Sequence, residues 1–362
     1  MNAPLKTSSL HAAHLAMGAR MTALAGWEMP ADYGDPVAEH QAVRQSAGVF
    51  DVSHLVTLEV SGAGATPFLR DLLANDVAAL KRPGSTLYSC LLDDDGRILD
   101  DLIVHRISDG EFRLVANAGN AERDVCWMRK RIASSGANVS LGTRNDLAMF
   151  AIQGPQAIER AMQAIPELNT ARGVPAPFAA VRLSDLFVAR TGFSGEDGLE
   201  IGVPIHRAEA MWDALLKAGI RPCGLTARNT LRLEAGFRQY GQDMDDSTTP
   251  LDVGLVRTID FSDPERDFVG RQALEDKHWI ACTLGLVFDT TEPEAHMPVI
   301  TPRGTGTTTS AAWSPTLGYG IAFAQLPQGT QVGETVEVQL RGERLPARVV
   351  EPPFVRDGKP LV

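Results

Sequence analysis

The chain has 362 residues, too many for one ordinary hydrophobic core, so two or three domains are expected. With 44% hydrophobic and 22% charged residues its composition is globular, and no run of about 18 apolar residues offers a membrane span. Thirty-four basic against 45 acidic side chains give a net charge of −11, which works against a sequence-independent grip on nucleic acid.

In chain order, the N-terminal stretch MNAPLKTSSLHAAHLAMGAR (1–20) lacks the apolar core and small-residue cleavage site of a secretion signal, and residues 8–24 carry the apolar spacing of an amphipathic helix. Asp35-Pro36 opens a second helix over 36–47, a cap followed by proline at the first helical position. The alternating stretch VFDVSHLVTLEVSG (49–62) reads as strand. A helix at 64–74 is followed by strands at 86–93 and 97–107 around Asp93-Asp94-Asp95-Gly96. Asp-Gly favours a tight turn, so these two strands are expected to pair antiparallel.

After a strand at 111–117 and a helix around 119–135 comes a similar unit: strand 147–153, helix 155–164, strands near 178–190 and 199–203, and helix 206–218. Strands and helices mix without a regular βαβ rhythm, which predicts an α+β fold. Past Gly254 a helix at 270–276 gives way to strands punctuated by Gly and Pro, a separate all-β domain beginning near residue 280. No period of about 20 to 50 residues recurs, against solenoids and propellers. Cys90, Cys126, Cys223 and Cys282 form neither CxxC pairs nor a Cys/His cluster. They read as small core residues in a reducing compartment, the cytoplasm, and no metal site is expected.

Three stretches carry candidate chemistry. In GRILDDLIV (96–104) two adjacent carboxylates interrupt a strand of buried character. Neighbours on a strand point to opposite faces, so Asp101 faces inward if Asp100 faces solvent. Tyr88, on the partner strand, falls near residues 96–102, and an aromatic face beside a carboxylate suits a flat heterocycle with a nitrogen to be bound or deprotonated. Capping of backbone amides at a bulge is the competing reading of the pair. In TGFSGEDGLEIGVP (191–204) a glycine-rich loop lets a ligand approach the backbone, and Glu200 needs a partner if it faces inward. A plain structural hairpin also accounts for that loop, which lacks the spacing of a phosphate site. In CGLTARNTLRLEAGFRQYGQDMD (223–245), Arg228 and Arg232 share a helix face. Arg228 suits planar recognition of a carboxylate or pyrimidinone edge, or the pairing of Glu200; a solvated face is the alternative, preferred for Arg232. His54 and His105 lack a nucleophile beside them and are given no catalytic role.

Ten ordered motifs complete the reading: AGWEMP (25–30), EHQAVRQSAGVFDVSH (39–54), LLANDV (72–77), LYS (87–89), LDDLIV (99–104), AIQGPQA (151–157), TGFSGEDGLEI (191–201), ARNTLRLEAG (227–236), YGQDMD (240–245) and SPTLGY (314–319). Through them the chain resembles, nearly end to end, the glycine cleavage T-proteins, the tetrahydrofolate-dependent aminomethyltransferase family. The resemblance implies a three-domain ring around a folate channel. Its first domain would be residues 1–54 plus 141–279, with an inserted domain at 55–140 and a C-terminal β-barrel at 280–362. It implies that Asp101 is catalytic and lies against the pterin and its N5, and that Tyr88, Asn117, Phe193, Glu200 and Arg228 complete the tetrahydrofolate site. The lipoylated H-protein would deliver the aminomethyl group.

Departures from the family pattern leave other readings open. Phe193 stands where a tyrosine is usual, Arg257 in GLVRT where a tryptophan is usual, and Ala311 where a glycine is usual. A folate-dependent demethylase of a small onium, amine or methoxy compound is one alternative, with Arg257 binding a donor carboxylate. A non-catalytic folate-binding protein is another, although the cysteine motif usual near its glycine loop is missing. Arg356 in PPFVRDGKP is a candidate anion-binding group at the channel mouth.

Overall fold

The hairpin forms where Asp-Gly predicts it. In the computed structural model, which describes residues 4–171, 173–277, 281–289 and 291–362, Thr86–Leu92 pairs antiparallel with Ile98–Ser108, setting Leu91 opposite Asp100 and Cys90 opposite Asp101. Gly96 takes φ +75°, and the Asp93 carboxylate accepts from the backbone N–H groups of Asp95 and Arg97, which holds the turn. Glu111–Ala116, Val56–Ser61 and Ser140–Thr143 extend the pair to a five-stranded sheet. Helices Ala65–Leu72 and Ala121–Ser135 cover one face, burying Leu58, Phe112 and Leu114 against Leu69 and Met128.

A six-stranded sheet runs in the order Ala180–Leu183, Leu186–Ala189, Gly198–Pro204, Leu147–Gln153, Gly48–Asp51, Arg221–Pro222. Its central strand Leu147–Gln153 is apolar on both sides because both sides are covered. Phe150 and Ile152 pack with Trp212 and Leu215 of helix Ile205–Lys217, while Met149 and Ala151 pack with Ala227 and Leu231 of helix Leu225–Glu234. The expected β-rich C-terminal part is a closed barrel of six strands, Ala281–Phe288 to Glu343–Val350, filled by Leu286, Phe288, Val299, Leu326, Val338 and Val349. The fold is thus mixed helix and sheet with a C-terminal β-barrel, as the sequence predicts.

Several expectations are corrected. The helix anticipated over 8–24 spans only His11–Ala16; Gly18 at φ +75° ends it, and Arg20–Leu24 is a strand paired with Trp27–Asp32. The stretch 49–62 supplies two strands to different sheets, Gly48–Asp51 and Val56–Ser61. Cys126 is exposed rather than part of the core, and all four cysteines are free thiols. The boundary expected near residue 280 lies outside the described residues, as do residues 1–3. Among the described residues no helix is long and apolar enough to cross a membrane.

Candidate functional site

Asp100 and Asp101 point to opposite faces of one strand, Asp100 buried and Asp101 half-buried. Asp100 is fully buried, because helix Ala121–Ser135 and its entry loop cover that side. Its carboxylate accepts from the Asn117 backbone N–H at 3.0 Å, Asn117 Nδ2 at 2.8 Å and Asn120 Nδ2 at 2.6 Å, and it faces the carboxyl of Asp124. The condition that Asp100 faces solvent is therefore not met: its side of the strand is packed under the helix, and the Asp101 side is the more open of the two.

Asp101 accepts from the Tyr88 hydroxyl at 2.8 Å and from Asn117 Nδ2 at 2.9 Å. Tyr88 is registered opposite Ile103, which makes it the diagonal neighbour of Asp101 on the same face. One amide, that of Asn117, thus bridges both carboxylates. Burial and then the neighbouring Asp100 charge push Asp101 up to about 7, against the pull of its two hydrogen bonds. Burial and the same neighbour push Asp124 up to about 10.

Glu200 lies on Gly198–Pro204 between Ala151 and Ala189 of the adjacent strands. Its partner is the Thr191 hydroxyl, which donates to Oε2, so the direct pairing with Arg228 anticipated as one possibility does not form. Arg228 instead stacks its guanidinium 4.9 Å above the Phe193 ring, with its Nε buried and unpartnered. Burial and Arg232 push Arg228 down to about 10, while the fields of Glu200 and Asp101 oppose the shift. Arg228 therefore lies within electrostatic reach of both acids. Phe193 packs edge-on against Phe50, with ring centroids 5.1 Å apart. Beside them His54 is buried with Nδ1 unpartnered; burial and Arg228 hold it neutral, pushed down to about 3. Two orphaned polar atoms next to an aromatic face form a cradle for a planar ligand with hydrogen-bonding edges.

Sequence reasoning missed three residues here, Asn120, Asp124 and Arg238, and considered His54 without giving it a catalytic role. Asp124 looks like an ordinary acid in the first turn of a helix, where the dipole welcomes it. Arg238 sits 4.0 Å above the Phe323 ring of the barrel and feels the Asp243 charge, a position only the tertiary fold reveals. Arg232 is nearly fully buried, contrary to the solvated-face reading. It donates to Asn229 Oδ1, Gln242 Oε1, Asp243 Oδ2 and Ser310 Oγ, because the segment after the helix folds back and the barrel closes over it.

Arg257 is exposed on the short turn Val256–Thr258, whose Thr258 hydroxyl lies 3.2 Å from Cys90 Sγ on the hairpin. Arg356 is exposed on Val355–Arg356, paired with Lys359–Pro360. The hydrogen bonds described bring neither arginine to Asp101. Two surface cavities, of about 380 and 680 Å³, are lined by other residues.

Residues 10–263 match the family model of the GCVT N-terminal domain, and residues 282–356 that of the glycine cleavage T-protein C-terminal barrel domain. The chain is 50% identical over 361 residues to an aminomethyltransferase of Bordetella petrii, covering 99% of each. It is 47% identical over 368 residues to an aminomethyltransferase of Burkholderia multivorans, again covering 99% of each. Its fold is similar to the crystal structure of glycine cleavage system aminomethyltransferase T from Bartonella henselae, at a TM-score of 0.90 and 34% identity over 98% of this chain and 99% of that one. Fold and likeness together define a one-carbon transferase, an aminomethyltransferase. The chain belongs to the glycine cleavage T-protein family.

Proposed function

We propose that this aminomethyltransferase takes its one-carbon unit from the aminomethyl-lipoyl arm of an H-protein and passes it to tetrahydrofolate, releasing ammonia and giving 5,10-methylenetetrahydrofolate. The observation that carries this reading is the Tyr88–Asp101–Asn117 cluster, together with Arg228, which feels the fields of both Asp101 and Glu200 and stacks on Phe193. A pterin fits this set: Phe193 offers a stacking face, Glu200 and Arg228 complement its donor and acceptor edges, and the unpartnered Arg228 Nε and His54 Nδ1 await polar partners.

Bound tetrahydrofolate supplies the nucleophilic N5. Asp101, fixed by two hydrogen bonds, orients that nitrogen and stabilises the positive charge that develops as the carbon is transferred. A carboxyl pushed up to about 7 also exchanges a proton readily at neutral pH, so Asp101 is suited to hold the N5 proton at its Oδ atoms. We assign residues 1–54 plus 141–279 to a first domain, 55–140 to an inserted domain and 280–362 to the barrel domain, with the site where the first two face each other. The four free thiols favour a reducing, cytoplasmic setting.

The test incubates the protein with tetrahydrofolate and aminomethylated H-protein, and in parallel with small methylated donors. Methylenetetrahydrofolate from the H-protein alone is expected. Methyltetrahydrofolate from a small donor would replace this reading with the demethylase, and folate binding without either product would leave a binding protein.

A further inference from the structure

Asp124 has no role in the chemistry so far. It lies in the first turn of helix Ala121–Ser135, fully buried, its backbone N–H donating to Asn120 O at 2.9 Å. Neither carboxyl oxygen receives an N–H or O–H from any ordinary donor among the described residues. Opposite stands Asp100, equally dry, with three amide donors already in place. The titratable and charged groups around the pair are Asp101 on the same strand, with the neutral Tyr88 hydroxyl beyond it, and Arg123 on the helix, with the neutral Tyr240 hydroxyl and Asp246 facing Arg123. Arg123 directs its guanidinium to Leu99 O, the Tyr240 hydroxyl and Asp246, so it makes no ion pair with either carboxyl. Two ionised carboxylates facing each other in a dry space repel strongly, and a proton between them satisfies both.

We infer that Asp124 is a positioning residue: its carboxyl carries a proton that it shares with Asp100, and through Asp100 it fixes the Asn117 amide on which Asp101 depends. This rests on the reading of Asp101 given above. Asp124 donates to Asp100, which stays anionic and accepts both the backbone N–H and Nδ2 of Asn117. Asn117 Nδ2 is thereby held against Asp101 Oδ1. Loss of the shared proton puts a second negative charge behind that amide and beside Asp101. Burial, which raises the Asp124 carboxyl, keeps the proton in place through neutral pH.

The experiment has two arms. In wild-type protein carrying ¹³C-labelled aspartate, one carboxyl resonance is expected to stay protonated through neutral pH, to titrate near pH 10 and to be missing from Asp124→Asn. Asp124→Asn keeps a donor toward Asp100 without a titratable proton. It should turn over near the wild-type rate at neutral pH with unchanged KM for tetrahydrofolate, but lose the alkaline fall in kcat expected of the wild type. Asp124→Leu, which cannot donate, should lower kcat about tenfold. Absence of the protonated resonance from the wild type, or an alkaline limb unmoved in Asp124→Asn, overturns the inference. If the variants fail to fold, the wild-type titration alone decides. The resonance is read without turnover: a fully active Asp101→Asn enzyme would sink the Asp101 reading, whereas a missing resonance with Asp101→Asn inactive would sink the Asp124 inference alone.

Discussion

Asp101 concentrates the proposed chemistry in one carboxyl, and its environment sets the sign of two predictions. Replacing it with asparagine keeps the size and the Tyr88 contact but removes the charge, so kcat is expected to fall by about 10² to 10³ while folate still binds. Comparable turnover of the variant would remove Asp101 from the mechanism. Because burial lifts this carboxyl to about 7, the ionised form is lost as pH drops through that value; wild-type kcat should decline on the acid side of about pH 7, and the decline should vanish in Asp101→Asn. Arg228→Leu removes a stacked, incompletely satisfied guanidinium. Losing a charge-assisted hydrogen bond of about 1.5–3 kcal/mol should weaken tetrahydrofolate binding about 10- to 100-fold, measured by titration calorimetry. The Tyr88–Asp101 contact was legible in the sequence because a tight turn and the two-residue period of strands fix it within 13 positions. The His54–Arg228 and Arg238–Phe323 neighbourhoods were not, since elements distant in sequence bring each together.

Elements differ in how far their neighbours decide them. The Asp-Gly hairpin is a local event, whereas residues 8–24 satisfied a helical spacing that Gly18 and pairing with Trp27–Asp32 override. Helix Leu225–Glu234, which carries Arg228, is seated by close approach at Gly224: a Cβ there would lie 2.3 Å from Ala31 O, and the Gly224 N–H donates to buried Glu39 at 2.8 Å. Gly224→Ala must push the helix from strand Trp27–Asp32, at an overpacking cost of about 1–3 kcal/mol. A lower melting temperature together with a raised KM for tetrahydrofolate is the expected outcome; an unchanged KM would show that Arg228 does not follow its helix.

At the scale of the whole molecule, buried polar networks join parts the sequence keeps far apart. Glu234 accepts from Arg44 at 2.7 Å, from the Thr316 hydroxyl at 2.7 Å and from the Ser314 hydroxyl, tying the barrel to helix Pro36–Gln45. Burial raises its carboxyl, but His40, Arg44 and the hydroxyls outweigh that and hold it at about 2. Its contribution is therefore complete above the usual carboxylate range and disappears as pH falls toward 2. His54 and His105, pushed down to about 3 mainly by burial, must charge on unfolding, so their contribution is full above about 6.5 and is lost as pH falls toward 3. Stability should thus decline below about pH 6.5, by about 1.4 kcal/mol per pH unit for each proton taken up, and more steeply below about 4.5. Urea unfolding at stepped pH measures this; a flat profile from pH 7 to 5 would contradict the burial of the two histidines as neutral rings. The barrel itself was legible from its punctuated strands, but the network was not: His40 meets Thr316 across 276 positions, a distance no local pattern spans.

Among the described residues, the outer margins of the three largest sheets leave little room for another chain to add a strand. The barrel is closed, the six-stranded sheet ends in strands of four and two residues, and the seven-residue outer strand Thr86–Leu92 is partly sealed by Ala74 N–H donating to Cys90 O and Asn75 Nδ2 donating to Tyr88 O. With so few unpaired main-chain groups on offer there, crowding should not drive these three sheets into templated ribbons, and self-association through them has to be built from side chains.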